Sequence, residues 1–279
     1  MSTITRNGIT STDNNNDLAI TGLGSGVPNL EAGYKVNGTV EKLTGIAPST
    51  SGNVLTSDGT NWTSAAGASG GAFTSTQVFD AGSGTWSRPS GITTIIVEMV
   101  GGGGGGGGAT SNFACCGAAG AYAQFVLDVT NISSAPLVVG AAGAKGSGAS
   151  SGTNGAAGGN STFGNSPVYC QTNGGGGGLK SSNTALSLGG EFAFDSAVSA
   201  ANRLVSMKGQ LGSGGGNPDQ GGQGNAGSGP LGSGAVMPGA GAASGRDGSG
   251  YGAGGSGGCL TAANGGDGAP GRIIVYEYT

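Results

Sequence analysis

Histidine is absent from this chain of 279 residues, and charged residues make up only 9% of it. Without histidine, the chain lacks the usual general base near neutral pH and the commonest imidazole ligand for a metal ion. The 10 basic and 14 acidic residues are scattered singly, so no basic patch could neutralise a phosphate backbone. We therefore expect a protein that is not an enzyme, with no catalytic residues, no cofactor, no metal site and no nucleic-acid partner.

Long apolar runs are also missing. Residues 1–16 are polar with one early arginine, whereas a signal peptide needs an apolar segment after its basic start. No later stretch reaches the roughly 18 consecutive apolar residues of a membrane-spanning helix. We expect neither a signal peptide nor a membrane span.

Glycine is abundant instead, with 67 of the 279 residues, about 24% against an average near 7%. Beyond residue 100, glycine recurs at every third position, which is the period of the polyproline II helix. If one side of such a helix is all glycine, neighbouring helices can approach to backbone contact. Collagen has the same period but needs about 15–20% proline, and this chain has 9 prolines. We predict a bundle of short polyglycine II helices; the alternative is a disordered glycine-rich region. The clearest registers are Gly140, Gly143, Gly146, Gly152, Gly155 and Gly158, then Gly212, Gly215, Gly221, Gly224 and Gly227, and finally Gly265, Gly268 and Gly271.

Apolar, β-branched runs bracket the glycine-rich region. Ile92–Val100 is the most apolar of them, and Arg272–Tyr278 at the other end is its natural partner. Pairing first and last strands would close residues 73–279 into one glycine-rich sandwich domain, mostly β with little α-helix. Further strands are predicted at Phe73–Phe79 and Gly84–Arg88, and, in the same sheet as Ile92–Val100, at Tyr122–Val129 and Ile132–Val139.

The first 72 residues have a different character. Residues 1–45 alternate short β-friendly runs, such as Leu18–Ile20 and Tyr34–Val36, with turn clusters. Residues 46–72 predict one short hairpin, turning at Asp58-Gly59, and then a flexible linker. We expect small β modules that gain stability from other copies or from a larger assembly.

The eight-glycine run Gly101–Gly108 matches the dinucleotide-binding pattern G-x-G-x-x-G trivially. A true fingerprint opens an amphipathic helix and meets an acidic residue about 20 residues later. The residues that follow here show no helical periodicity. We interpret the run as the first polyglycine helix.

Four cysteines lie in the glycine-rich part: Cys115, Cys116, Cys170 and Cys259. Their spacing lacks C-x-x-C, which argues against a zinc site. Two alternatives stay open, namely disulfides that tie turns of the bundle together and small buried thiols.

The longest interruption of the glycine pattern is Leu179–Leu211. Asp195 or Ser196 could cap a helix there, with apolar residues at helical spacing from Val198 to Met207. We predict that this insertion either caps the bundle or projects as a recognition surface. Together with shorter interruptions it supplies the candidate binding residues. These are Asn112, Phe113, Phe163, Tyr169, Phe192, Phe194, Arg203 and Tyr251.

Three segments of the domain resemble the glycine-rich C-terminal domains of bacteriophage tail fibres. They are residues 84–108 (GTWSRPSGITTIIVEMVGGGGGGGG), Ser161–Gly164 and the closing GAPGRIIVYEY. The amino-terminal NGITSTDNNNDLAITGLGSG and the later PSTSGNVLTSDGTNWTS are similar to recurring tail-fibre modules. The resemblance implies a homotrimer assembled in the host cytoplasm and located in the virion. Its amino terminus would attach to a tail or baseplate protein, and its carboxyl domain would bind a protein or glycan receptor on the bacterium.

The domain also resembles the tip adhesins of T-even-like phages, in which loops on a polyglycine II sandwich bind outer-membrane receptors, although this chain has its own fibre-like modules. Three other functions stay open. The chain could be a purely structural connector or decoration protein of the virion. It could be a polysaccharide-degrading tailspike, which needs paired carboxylates such as Glu191 and Asp195. It could also be an ice-binding protein, which the fibre-like first 70 residues argue against.

Overall fold

The computed structural model describes residues 34–36, 39–41, 53–57, 62–66, 71–149, 151–165, 167–181, 185–214, 224–239, 241 and 243–279. The chain divides into two units, Met1–Ser69 and Gly70–Thr279.

In the first unit the structure describes two antiparallel hairpins. Strand β1 (Tyr34–Val36) pairs with β2 (Thr39–Glu41), and β3 (Asn53–Ser57) pairs with β4 (Trp62–Ala66). The strand at 34–36 and the hairpin within 46–72 are thus confirmed. The predicted strand at 18–20 and the Asp58-Gly59 turn lie outside the described residues.

The second unit is built on two five-stranded antiparallel sheets. Sheet I has the order β14-β8-β7-β18-β5, and sheet II the order β13-β11-β10-β9-β6. The predicted pairing of first and last strands is confirmed, because β18 lies between β7 and β5. The strand bounds are β5 (Phe73–Phe79), β6 (Gly82–Ser87), β7 (Thr94–Val100), β8 (Tyr122–Asp128), β9 (Ser134–Val139), β10 (Ser161–Gly164), β11 (Val168–Thr172), β13 (Phe192–Phe194), β14 (Arg203–Met207) and β18 (Arg272–Tyr278). Two further short ladders lie in the glycine region, β12 (Leu186–Ser187) with β15 (Gly212–Ser213) and β16 (Gly232–Ser233) with β17 (Ser249–Gly250).

An apolar core fills the space between the sheets. Alternate residues of each strand point inward, as the period of two requires, and Trp86, Phe125 and Phe163 are fully buried there. Their rings lie 6.2–6.3 Å apart in tilted and edge-on arrangements, the geometry that aromatic quadrupoles favour. This core holds the two layers together.

One carboxylate is buried in this core. Glu277 on β18 is fully buried, and its oxygens accept hydrogen bonds from Trp86 Nε1 (2.8 Å), Gln77 Nε2 (2.7 Å) and Ser75 Oγ (2.5 Å). A buried carboxylate is tolerated when donors replace its water. The network joins β5 and β18 of sheet I to β6 of sheet II.

Two predictions about the sandwich are wrong. The sequence predicts Ile132–Val139 in the same sheet as Ile92–Val100, but the observed strand, Ser134–Val139, pairs with β6 and β10 in sheet II. The helix predicted from Val198 to Met207 is a single 3₁₀ turn, Ala200–Asn202, followed by strand β14. Arg203–Met207 pairs with β8 at the edge of sheet I, and this ladder outweighs the helical spacing of a few apolar residues.

Two strands of the insertion Leu179–Leu211 form one side of the sandwich. β13 is the edge strand of sheet II, β14 is the edge strand of sheet I, and residues 195–202 connect them. On the opposite side, β5 and β6 are the other two edges and are also consecutive in the chain. Residues 192–207 of the insertion therefore belong to the sandwich.

The glycine-rich segments continue the strands without a break. β7 ends at Val100, and Gly101–Gly108 follow it directly. Their N–H groups donate hydrogen bonds of 2.8–3.0 Å to the carbonyls of three neighbouring segments, and every third N–H group donates to the same segment. The carbonyls of the same run accept in rotation from three others. In a helix with three residues per turn, every third residue faces the same neighbour, which produces this pattern of partners. The predicted polyglycine II bundle is therefore confirmed. The acceptor segments are 115–121, 153–159 and 263–269, and the donor segments are 143–146, 175–181 and 255–258.

The central helix, residues 101–108, therefore has six neighbours. At every position in it, an added Cβ would lie less than 3.0 Å from a backbone carbonyl of one of these segments or of the residues that flank them. Glycine is required here because backbones occupy the space that side chains fill in an ordinary core.

Candidate functional site at the tip of the bundle

The bundle ends far from the sandwich in a group of turns. From Gly101 to Ala109 the central helix advances about 3.1 Å per residue, about 25 Å in all. We call the turns at its far end the tip, defined by residues 109–113, 147–149, 151–153, 179–181 and 259–263. In these turns the helices of the bundle reverse direction.

Backbone strain is concentrated at the tip. In the described part of the chain, three non-glycine residues have positive φ, namely Ser181 (40°), Leu260 (58°) and Ala262 (50°). All three lie in tip turns. Such conformations cost of order 1–3 kcal/mol each and persist only where the surroundings impose them. Strained turns of this kind are typical of functional sites.

Hydrogen bonds join the tip turns to one another. Thr110 N donates to Ser181 Oγ (2.9 Å), and the hydroxyls of the two residues lie 2.7 Å apart. Lys180 Nζ donates to the Ser151 carbonyl at 2.9 Å. Ala109 and Ala263 exchange backbone bonds of 2.8 and 3.0 Å. The turns therefore form one fixed surface.

Most exposed groups of this surface are polar and uncharged, and Leu179, 43% exposed, is the large apolar exception among its described residues. Hydroxyls and one amide come from Ser111, Asn112, Ser147, Ser151 and Thr261, all exposed. Lys180 adds an ammonium group, and the described tip turns carry no carboxylate. Such a surface can bind a polar partner by many hydrogen bonds, but it has no nucleophile with an adjacent general base.

Of the eight candidate binding residues, only Asn112 and Phe113 lie at the tip. Asn112 is exposed, whereas Phe113 is buried under its own loop against Met237 and Cys259. Contrary to the prediction, Phe113 is not available to a receptor, because its ring anchors the loop.

The other six candidates lie in the sandwich or at its end of the bundle. Phe163 is fully buried in the core, which corrects its assignment as a binding residue. Tyr169 and Phe192 are half-buried and contact neighbouring rings. Arg203 covers the ring of Phe194 at 4.9 Å from its centroid. Tyr251 is covered in the same way by Arg272, at 4.2 Å.

Sequence reasoning missed three parts of the tip. One consists of residues 147–149 and 151–153, where the glycine register skips position 149. Residues 259–264 (CLTAAN) interrupt the glycine pattern between Gly258 and Gly265, and this break was a usable signal. Lys180 and Ser181 lay inside the insertion but were overlooked because they carry no aromatic ring. The positive φ angles of Leu260 and Ala262 could not be predicted, because neither residue is of a type that favours this conformation.

The two acidic residues considered for hydrolysis have other partners. Glu191 forms an ion pair with Lys208 at 2.8 Å. Asp195 accepts a hydrogen bond from Ala197 N at 2.8 Å. A groove of about 550 Å³ lies nearby, lined by Tyr122, Met207, Lys208, Gln210, Ser228 and Pro230 among others.

All four cysteines are free, buried thiols. Cys170 belongs to the core between the sheets, while Cys116 and Cys259 belong to the cluster under the tip. Burial raises the pKa of Cys116 and of Cys170 to about 12, because it disfavours the thiolate. Little of the reactive form is therefore present in the folded protein.

This geometry predicts how the thiols react. In the native protein at mildly alkaline pH we expect almost no reaction with Ellman's reagent, because the thiols are buried and protonated. After unfolding without reductant, four thiols per chain should react. Recovery of only two or none would instead support the disulfide alternative.

Within the described ranges, no group of three or more cysteine, aspartate or glutamate residues is placed to hold a metal ion. No helix there has the length and apolar character that crossing a bilayer requires.

Comparison with known proteins gives one result for this architecture. A family model described as a glycine-rich domain matches residues 74–278, from the first strand of the sandwich to the last. No curated protein matches the chain. Because the match covers most of the sequence, this chain belongs to the glycine-rich domain family.

Proposed function

We propose that the chain is a phage tail-fibre protein whose tip binds a receptor on the bacterial surface. The observation that carries this proposal is the tip itself, where Ser181, Leu260 and Ala262 hold strained backbones in turns joined by hydrogen bonds. The tail-fibre assignment rests on the sequence resemblance of residues 84–108 and of the amino-terminal modules.

The rigid bundle supports binding by lowering its entropic cost. Ordering a flexible loop costs about 0.5–1.5 kcal/mol for each immobilised side chain. Turns fixed on a backbone-packed platform have been ordered during folding, so binding does not incur that cost again. Strain at the tip is compensated by the hydrogen bonds of the bundle below it.

The chemistry of the tip indicates the kind of receptor. Hydroxyls, an amide and the Lys180 ammonium group suit the hydroxyl, amide and carbonyl groups of a surface glycan or of polar protein loops. In this proposal the amino-terminal unit attaches the fibre to a tail or baseplate protein. The fibre is a homotrimer in the virion.

Adding bulk at the tip tests the proposal. We expect Asn112→Trp to lower adsorption of the phage to its host at least about tenfold, because an exposed indole would separate the tip from its receptor. Adsorption is measured as loss of free phage after mixing with cells. Asn112 is exposed, so the variant should fold and assemble normally.

The matched control is Thr85→Trp, an exposed polar residue on the outer side of sheet II. This change should leave adsorption within about twofold of the parent. If Asn112→Trp particles assemble and adsorb like the parent, the tip is not the receptor-binding surface. A purely structural role in the virion would then be favoured.

A further inference from the structure

The outer surfaces of the two sheets differ in character. A sheet with one solvated side normally alternates apolar residues inward with polar residues outward. Sheet II mostly follows this rule, with Ser83, Thr85 and Ser87 along β6 and Thr162 and Gln171 on its inner strands, although Pro136, Val138 and Ala193 also point outward. Sheet I does not.

The outer side of sheet I is largely apolar across all five strands. One row across the sheet runs from Val205 through Gln124, Glu98 and Ile274 to Val78. The next row contains Val126, Ile96 and Tyr276. We call this surface the outer face, which is defined by Phe73, Thr76, Val78, Ile96, Glu98, Tyr122, Gln124, Val126, Val205, Met207, Ile274, Tyr276 and Tyr278.

The one carboxylate at the centre of the outer face has partners within the face. Glu98 accepts hydrogen bonds from Tyr122 (2.8 Å) and Tyr276 (2.9 Å), which lie on the two flanking strands. Burial and the neighbouring carboxylate raise the pKa of Tyr276, so its hydroxyl keeps the proton that it donates. The centre of the face can therefore be covered without leaving these polar groups unpaired.

We infer that the outer face of sheet I packs against the same face of other copies of this chain. Strands of five to seven residues, at about 3.4 Å per residue and 4.8 Å between strands, give a face of about 540 Å². Two such faces bury about 1,100 Å², which reaches the roughly 1,000 Å² of a specific interface.

A second copy is the partner that this surface suits best. In a closed homo-oligomer every copy carries the same apolar face, so faces turned toward the symmetry axis can cover one another. Glu98 is held by two tyrosines. The other charged residues on this side of sheet I stand at strand ends, where Arg272 pairs with Asp80 at 2.7 Å and Asp128 accepts a hydrogen bond from Thr130 N at 2.8 Å. The centre of the face therefore carries no charge that would repel another copy. The inference goes beyond receptor binding and does not depend on it.

Charge substitutions at exposed positions test the interface. Val78 (46% exposed) and Val205 (40%) lie on opposite edge strands of the outer face. We expect Val78→Glu and Val205→Glu each to raise the dissociation constant of the assembly about 10–100-fold, because an unpaired carboxylate would be buried on association. The measurement is sedimentation equilibrium of the full chain.

The control is Val138→Glu, a valine of similar exposure (42%) on the outer side of sheet II. It should leave the assembly unchanged. If Val78→Glu fails to fold by circular dichroism, Thr76→Glu at an exposed position of the same face replaces it. A monomeric parent chain, or face variants that associate as the parent does, would overturn the inference, whatever the adsorption assay shows.

Discussion

Gly105→Ala is expected to destabilise the folded domain by about 3 kcal/mol or more, because the change forces two backbones apart. Gly105 N donates to the Ala156 carbonyl at 2.9 Å, and its own carbonyl accepts from Gly178 N at 2.8 Å. An added methyl group would collide with the backbone of residues 143–144, which neither rotates away nor shortens. Urea unfolding followed by tryptophan fluorescence measures the loss.

The matched control for this change is Gly229→Ala. At Gly229 an added Cβ meets nothing within 4 Å, and φ is not positive. Alanine there should change the free energy of unfolding by no more than about 1 kcal/mol, and in the stabilising direction if the unfolded chain loses freedom. Equal unfolding midpoints for the two variants would contradict backbone packing in the bundle.

The second large effect is expected at Glu277. Glu277→Ala should lower the free energy of unfolding by about 3–5 kcal/mol, since it leaves a cavity and deprives three donors of their acceptor. The donors are Trp86 Nε1, Gln77 Nε2 and Ser75 Oγ. The same urea titration applies.

Two further variants sharpen the test at Glu277. Glu277→Gln should have an intermediate effect, because the amide keeps one acceptor oxygen but turns an NH₂ group toward donors. Glu191→Ala removes a carboxylate that is 58% exposed in its ion pair with Lys208 and should cost no more than about 1 kcal/mol. If Glu277→Ala costs as little as Glu191→Ala, the buried network does not stabilise the sandwich.

Pairing of the sheets was only partly predictable. Arg272–Tyr278 and Ile92–Val100 were matched by composition, since each is the most apolar β-branched run at its end of the domain. The strand predicted at Ile132–Val139 was assigned to the sheet of Ile92–Val100, but it belongs to sheet II. Alternation of apolar and polar residues predicts which side of a strand is buried, but it does not predict which of two sheets the strand joins.

The candidate site was predictable only in outline. Breaks in the glycine pattern marked residues 111–113 and the insertion as candidate binding segments, and residues 111–113 and the start of the insertion lie at the tip. Two of the aromatic residues chosen within such breaks, Phe113 and Phe163, are buried. A large ring between glycine runs is as useful for anchoring a loop as for binding a partner.

The sequence by itself determined the glycine bundle, because a period of three is a local property of the backbone and glycine is the residue that lets such helices touch. Tertiary structure alone decided which segments surround Gly101–Gly108, that Arg203–Met207 is a strand, and that the strained turns gather at one end. These features depend on contacts between residues far apart in the chain. The local periodicity of the sequence does not predict such contacts.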